Sequence, residues 1–415
     1  MIRELTADCV HCGFCLPTCP TYVLWHEEMD SPRGRIHLID ARLDGTVTFN
    51  DTVSTHFDRC LGCMACVTAC PSGVRYDRLI ETTRAAVEDE YPRPVADRML
   101  RALMFHVLPY PRRMRAALRL APLGRGLPLP KRIRPLVELA PRWRVPDGHA
   151  RSARDAKSNV VTGPPGRAQG RVGLLTGCVQ AAAFPDVNDA TARVLAADGF
   201  EVVAPAQGCC GALSVHAGRV EEGRRFARKL VEAFADVDTV VVNASGCGSH
   251  LKDLAWLLED DDAAAFSEKV RDVGEFLEDV APRARRHPLP LTVALQDSCH
   301  LRHAQRLPLS SRVSLGRVPE LEVVEPAEQD LCCGSAGIYN LVQPDAAREL
   351  GDRKARNVLA TGANVYASAN PGCLVQISTA LRRAKSRLPA LHPIELVDAS
   401  IRGVPAGRLR ATARR

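Results

Sequence analysis

The chain is short of aromatic residues, has no long apolar run and shows no large excess of either charge. Ten Phe, six Tyr and three Trp in 415 residues leave few rings to stack on bases, and the formal charge is only +7. A nucleic-acid partner is therefore not expected. The longest stretch without a charged residue, 357–381, contains Asn364, Asn370, Pro371 and Gln376. Those residues are costly in hydrocarbon, so the stretch reads as helix end, strand and helix start, and membrane contact is at most peripheral. No Gly-x-Gly-x-x-Gly leads from a strand into a helix, and neither a P-loop nor a Ser-His-Asp or Cys-His nucleophile context stands out. Nothing thus points to nucleotide-dependent hydride chemistry or acyl transfer within the chain. No apolar leader precedes the first cysteine, so a reducing compartment is expected: the cytoplasm, with or without peripheral attachment to the inner face of the cell membrane.

Cysteine, by contrast, is plentiful, with sixteen residues. Cys9, Cys12, Cys15 and Cys19-Pro20 form CxxCxxCxxxCP, and Cys60, Cys63, Cys66 and Cys70-Pro71 repeat it. Three thiols at i, i+3 and i+6 on a tight loop can occupy three corners of one iron–sulfur cube, while the fourth ligand comes from elsewhere. A zinc ribbon has no use for the third thiol of such a run. Two [4Fe–4S] clusters are therefore expected. In the bacterial two-cluster arrangement the fourth Cys of each run serves the other cluster. That assigns Cys9, Cys12, Cys15 and Cys70 to one, and Cys60, Cys63, Cys66 and Cys19 to the second.

At this length two or three domains are expected. Ser31-Pro32-Arg33 reads as a helix start, with Ile36, Leu38, Ile39 and Leu43 as its apolar face, and a second helix is expected over 76–90. Residues 1–90 thus form a mainly α-helical two-cluster ferredoxin domain. Between Arg93 and Arg144 thirteen Lys or Arg face two acids, among ten prolines spanning Pro92 to Pro146. Residues 91–169 therefore read as a basic, Pro-rich connector with short helices such as 112–120, either simply solvated or docking on an acidic partner or anionic lipid.

From Gly170 short apolar strands alternate with amphipathic helices: strand 172–176, helix 186–198, strand 201–204. This is the βαβ pattern of a parallel sheet with helices outside. The region is duplicated, because Cys178, Cys209-Cys210-Gly211 and Cys247 recur in order as Cys299, Cys332-Cys333-Gly334 and Cys373. Two α/β halves, 170–285 and 286–415, are expected to face each other across a pseudo-twofold axis. Cys178, Cys247, Cys299 and Cys373 each follow a strand, the ligand-binding edge of such sheets. The overall class is α+β multidomain. The eight thiols are candidates for an additional cluster or another metal, since adjacent thiolates can reach different irons of one cluster. His300 and His303 beside Cys299 are candidates for a metal or a quinone.

These motifs resemble the glycolate oxidase iron–sulfur subunit family, whose paired modules are CCG domains. The resemblance runs from Cys12-Gly13-Phe14-Cys15 and Ser31-Pro32-Arg33-Gly34-Arg35-Ile36 through Gly177-Cys178-Val179-Gln180 and Leu331-Cys332-Cys333-Gly334 to His392-Pro393-Ile394-Glu395-Leu396. It implies an electron-transfer subunit that takes electrons from a separate FAD subunit oxidising glycolate and passes them to a quinone or other membrane-associated acceptor. Subunits of lactate and glycerol-3-phosphate dehydrogenases share this wiring. The more distant heterodisulfide reductase B subunits use a fifth Cys per half, in a terminal CxxC, to hold a non-cubane cluster. Here that position is His250 in Cys247-Gly248-Ser249-His250 and Gln376 in Cys373-Leu374-Val375-Gln376. Disulfide cleavage is therefore not expected. Gln376 is a poor iron ligand, and His250 reads as a cap or surface residue more readily than as a nitrogen ligand. A scaffold with structural zinc in the two halves is the remaining alternative.

Overall fold

The computed structural model describes residues 2–124, 134–140, 160–163 and 168–411. The remainder of the basic connector, with Arg125, Lys131, Arg132, Arg142 and Arg144, lies outside the described residues. The N-terminal portion is helical: α1 (Ile2–Ala7), α2 (Pro20–Trp25), α3 (Pro32–Leu43), α4 (Asp51–Asp58), α5 (Ala65–Ala69) and α6 (Tyr76–Glu90). Helix α3 begins as its sequence dictates. The Ser31 hydroxyl accepts from the Gly34 amide and Pro32 occupies the first turn, where its missing N–H costs nothing. These helices close over Ile36, Ile39, Val53, Phe57, Leu79 and Ile80, with Cys60 and Cys66 inside the same core.

Two further helices, α7 (Val95–Val107) and α8 (Pro111–Leu120), form from the Pro-rich stretch. Pro111 stands in the first turn of α8, where proline is tolerated. Helix α7 docks by Met104 and Phe105 against Ile338 and Leu341 of the C-terminal half.

The strands are β1 (Val160–Thr162), β2 (Gly170–Leu175), β3 (Phe200–Val203), β4 (Thr239–Val242), β5 (Val270–Asp272), β6 (Leu291–Leu295), β7 (Leu321–Val324), β8 (Val365–Ala367) and β9 (Ala390–Leu391). They build two sheets, ordered β1-β3-β2-β4-β5 and β7-β6-β8-β9. Apart from antiparallel β1 every pairing is parallel. Without β1 the two orders are identical, each reading second, first, third and fourth strand of its half. The expected duplication is therefore a duplication of topology.

The halves also pack reciprocally. Helix Pro185–Ala197, after the first strand of one half, lies on Pro393–Ile401, after the last strand of the other, and Ser310–Gly316 lies on Val273–Asp279 in the same way. One continuous apolar core runs through this contact, from Val172 and Leu195 to Val293 and Val397. Arg193 closes its rim with a two-pronged pair to the buried Asp398, both contacts 2.8 Å.

Candidate metal centres

Cys9, Cys12 and Cys15 sit on the loop between α1 and α2, where His11 and Gly13 take left-handed backbone angles that coil it tightly. Cys70 follows α5, and all four thiols line one cavity with Pro32, Ile36 and Val74. The sulfurs sense one another. Burial raises the Cys9 thiol against the His11 amide, and Cys70 and Cys12 raise it further. Cys15 is pushed up to about 11 by burial, with Cys19 and Cys9 adding to it. This set lies near the surface: Cys12 is exposed, and its neighbours Val10 and Phe14 are 68% and 66% exposed.

Cys60, Cys63, Cys66 and Cys19 form the second set, and all four are buried. Cys66 is raised well above the ordinary thiol range, first by burial and then by Cys63, Cys60 and Cys19. One member is poised differently. Burial opposes the Cys60 thiolate, yet the cations Arg35 and Arg84, the Gly62 amide and the Tyr76 hydroxyl outweigh it and leave this thiol below its ordinary range. Arg35 is itself wholly buried. It donates to the His56 carbonyl at 2.6 Å, to Thr21 Oγ1 at 3.2 Å and to the fully buried Asp30 at 3.4 Å. Sequence reasoning placed Arg35 in a motif and gave it no role.

Each α/β half gathers its four thiols at the carboxyl ends of its strands. Cys178 Sγ lies 3.4 Å from Cys209 Sγ, and Cys210 meets Cys209 and Cys247. In the other half Cys299 lies 3.8 Å from Cys332, and Cys333 lies 3.3 Å from Cys373. Gly211 and Gly334 follow the paired thiols at φ of 95° and 86°, and a Cβ on either would sit 2.8 Å from the carbonyl of Gly223 or Ala347. Only glycine fits both demands. The turn also aims the Gly211 amide at Cys209 Sγ, 3.4 Å away. Hydrogen bonds from Cys178, Cys210 and this amide lower the Cys209 thiol well below its ordinary range, and Cys332 is lowered in the same way in the other half. Lys354, fully buried, lies within electrostatic reach of Cys333, Cys332 and Cys373 and is a cation that the sequence did not advertise.

These donor sets fit iron–sulfur clusters. Four thiols converge in each set, backbone amides point at sulfur, and cations sit close by, the features that hold and tune such clusters. Among the described residues no three His, Cys, Asp or Glu side chains converge closely enough to hold one bare ion. The second set and the second quartet adjoin directly. Cys63 is raised well above the ordinary thiol range, first by burial and then by Cys332, and both belong to one apolar seam with Leu61, Ala65, Leu331 and Tyr339.

The histidines divide. His300 lies on a π-helical turn, His300–Ala304, directly after Cys299, a distortion often found at functional sites. Its Nε2 bonds the Gly62 carbonyl at 2.9 Å and its Nδ1 bonds Ser249 Oγ at 2.9 Å. His303 likewise bridges Thr68 Oγ1 and the Asp330 carbonyl. Both rings are fully engaged and therefore brace the junction between domains. His250 departs from the surface or capping role expected of it: it is 7% exposed, held down to about 4 by burial, and its Nε2 has no partner. Gln376 is consumed structurally, donating to the Ala347 carbonyl at 2.6 Å and meeting Asn340 at 3.3 Å. The positions spaced for a fifth thiol within each half, His250 and Gln376, thus carry none. His216 and Glu81, paired at 2.8 Å, were missed altogether, since nothing local in the sequence joins segments 135 residues apart.

The fold and its donor sets define an iron–sulfur electron-transfer protein, with a helical dicluster module in front of two cysteine-rich α/β halves. The family of the 4Fe-4S dicluster domain matches residues 6–74, and that of the cysteine-rich CCG domain matches 172–252 and 293–378. The chain is 36% identical over 415 residues to the probable glycolate oxidase iron-sulfur subunit of Bacillus subtilis, covering 94% of this chain and 93% of that one. It is also 36% identical over 418 residues to the glycolate oxidase iron-sulfur subunit of Escherichia coli, covering 96% of each. A crystal structure of a hypothetical protein from Helicobacter pylori shares the fold at a TM-score of 0.51 and 8% identity, over 89% of this chain and 68% of the other. The chain belongs to the glycolate oxidase iron–sulfur subunit family and is the electron-transfer subunit of an oxidoreductase complex.

Proposed function

We propose that this subunit takes electrons from a 2-hydroxy acid, glycolate, oxidised on a separate FAD-carrying subunit and passes them to a quinone. Iron–sulfur clusters, when bound, supply one-electron carriers, and a flavin is what splits a hydride into single electrons. The supporting observation is the gradient of burial across the cysteine sets. The set of Cys9, Cys12, Cys15 and Cys70 reaches the surface under exposed Val10 and Phe14, whereas the set of Cys60, Cys63, Cys66 and Cys19 is buried and abuts Cys332. Electrons enter at the exposed loop and leave by way of the α/β halves, whose quartets hold a further iron–sulfur group. In this reading the working units are 1–90, the connector 91–169, and the halves 170–285 and 286–415.

In the assembled complex, prepared anaerobically, glycolate bleaches the cluster absorbance, while the chain alone with glycolate shows no change. Bleaching by D-lactate and not glycolate would move the assignment to a lactate dehydrogenase, and bleaching by neither would remove it. Thiol release from a disulfide by the chain alone would instead favour a heterodisulfide-reductase-like role, against which the missing fifth thiols stand.

The subunit works against the inner face of the cell membrane. Among the described residues no helix is long and apolar enough to cross a membrane. Helix α7, however, turns Val95, Met99 and Leu103 outward at four-residue steps, 62%, 68% and 52% exposed, and Leu120 at the end of α8 and Leu123 just beyond it are 63% and 74% exposed. Exposed Arg98, Arg112, Arg113 and Arg119 share these helices. Apolar side chains rimmed by arginine suit an interface with anionic lipid. The double variants Met99→Glu/Leu103→Glu and Arg112→Glu/Arg113→Glu should each lower co-sedimentation with phosphatidylglycerol vesicles about tenfold or more, since each basic residue near such a surface contributes about 1 kcal/mol. Unchanged sedimentation of both variants would rule the patch out.

A further inference from the structure

The two α/β halves differ in charge at one buried position beside their thiols. Gly211 and Gly334 fix the match between them: a Cβ on either would meet the carbonyl of Gly223 or Ala347, so helix Pro344–Ala360 answers helix Val220–Ala233 residue for residue. On that match Gly351 answers Ala227, both small and buried, and Lys354 answers Leu230. Lys354 and Leu230 are each 0% exposed.

A lysine buried this completely needs an anion beside it, because an ammonium without a partner is costly to take out of water. Carboxylates do not supply it. Among the described residues no ion pair joins Lys354 to an acid, and the Glu328 carboxylate, which acts on it, is held by Arg353 and Asn357. The Lys354 Nζ donates to the Glu328 carbonyl, a neutral acceptor. Cys333 and Cys332 act on Lys354 more strongly than that carboxylate does, and Cys373 adds to them. The missing anion therefore belongs among three thiols of the second quartet. In the first half Leu230 lies instead in an apolar core with Cys210, Ala227 and Phe234. The second quartet is also the one that adjoins the buried set, since Cys332 acts on Cys63 across their shared seam.

We infer that Lys354 is the fixed counter-charge of an iron–sulfur group on Cys299, Cys332, Cys333 and Cys373, and that it makes this quartet, rather than that of Cys178, Cys209, Cys210 and Cys247, the carrier that takes electrons from the set of Cys60, Cys63, Cys66 and Cys19. The inference rests on the functional reading above, in which the quartets hold such a group, and names the one that lies on the relay. The step is a one-electron transfer: the buried set is oxidised by one electron and the group on the second quartet is reduced by one, with no bond made or broken and no proton moved. A cation close by favours the more negative, reduced state and so raises the reduction potential there.

Stepwise anaerobic reduction of the cluster-loaded, full-length chain, followed by absorbance and paramagnetic resonance, tests this. Cys333→Ser and Cys210→Ser identify the signal of each quartet by deleting it. In the parent chain the Cys333-dependent signal should change at the higher potential. Lys354→Met is similar in length and uncharged. It should lower the ratio of reduced to oxidised group on the second quartet about tenfold at a fixed potential, a shift of about 59 mV for one electron, and leave the Cys210-dependent signal in place. Lys354→Arg keeps the charge and should restore most of the shift. An unshifted Cys333-dependent signal in a Lys354→Met chain with full iron and sulfide overturns the inference and leaves Lys354 as a strut for the Glu328 carbonyl. Should that variant lose iron or sulfide, the order in the parent chain decides: a Cys210-dependent signal that changes at the higher potential, or iron and sulfide on the first quartet alone, overturns the inference as well. Iron and sulfide in the parent that fill only the two N-terminal sets would fail the underlying reading itself, because neither quartet would then hold a group.

Discussion

Arg35→Met unfolds the centre of the helical module and empties the buried cysteine set first. Arg35 is 1% exposed and Asp30 is 0% exposed, and the pair sits in a web with Thr21, His56 and Arg59, the last reaching Asp30 at 2.7 Å. Removing one member of a buried ion pair typically costs about 3–5 kcal/mol, because the other charge stays buried with less compensation. Against a usual domain stability of about 5–15 kcal/mol that is a large fraction. The chemical loss is as specific as the mechanical one. Arg35 is the leading influence that offsets burial at the Cys60 thiol, so that member of the buried set loses the cation that favours its thiolate. Arg35→Lys keeps the charge but not the planar fork that serves three acceptors at once, and it falls between the two. Iron and labile sulfide analysis with thermal unfolding of the three proteins checks this. A methionine variant with full iron content and an unchanged unfolding midpoint would show that Arg35 is neither the strut nor the counter-charge described.

That arginine also marks where the sequence stopped being informative. The cysteine runs were legible because their ligands are local: three thiols within seven residues carry their spacing in the chain itself. The duplication was legible because it repeats paired thiols, glycines and strand ends in the same order, and the two sheets do have the same strand order. The helix at 76–90 stood out for the same reason, since apolar periodicity within one element needs no distant partner. The rest depends on contacts between remote segments. Nothing near His216 announces Glu81, and nothing near Cys63 announces Cys332. The proline-rich stretch read as a connector because proline disfavours helix interiors. In α8, however, Pro111 occupies the first turn, and the buried faces of α7 and α8 are carried by Met104, Phe105 and Met114. His250 was weighed as a lone surface residue because its burial comes from His216 and the Cys210 backbone, which reach it only in the folded chain.

Cys70→Ala and Cys19→Ala are expected to damage opposite clusters, each the one belonging to the other motif. In sequence Cys70 closes the run that starts at Cys60, yet its sulfur shares a cavity with Cys9, Cys12 and Cys15 and raises the Cys9 thiol. Cys19 closes the first run, yet it is buried and acts on Cys63 and Cys66. Crossing therefore pairs each alanine variant with the distant set, and the difference in exposure makes the outcome readable. After Cys70→Ala the intact cluster is the buried one, so its reduced paramagnetic signal should resist an iron chelator added from solution. After Cys19→Ala the intact cluster lies under exposed Val10 and Phe14, and the same chelator should strip it. Magnetic coupling between the two reduced centres disappears in both, and electron throughput in the assembled complex falls by orders of magnitude, because a thiolate ligand of one centre in the relay is gone. The opposite pattern, with a chelator-resistant signal after Cys19→Ala and a labile one after Cys70→Ala, would mean that each run closes on its own cluster. The relay would then consist of two self-contained loops, and the interlock between α1–α2 and α5–α6 would owe its stability to the apolar core around Phe57 and Leu79 alone.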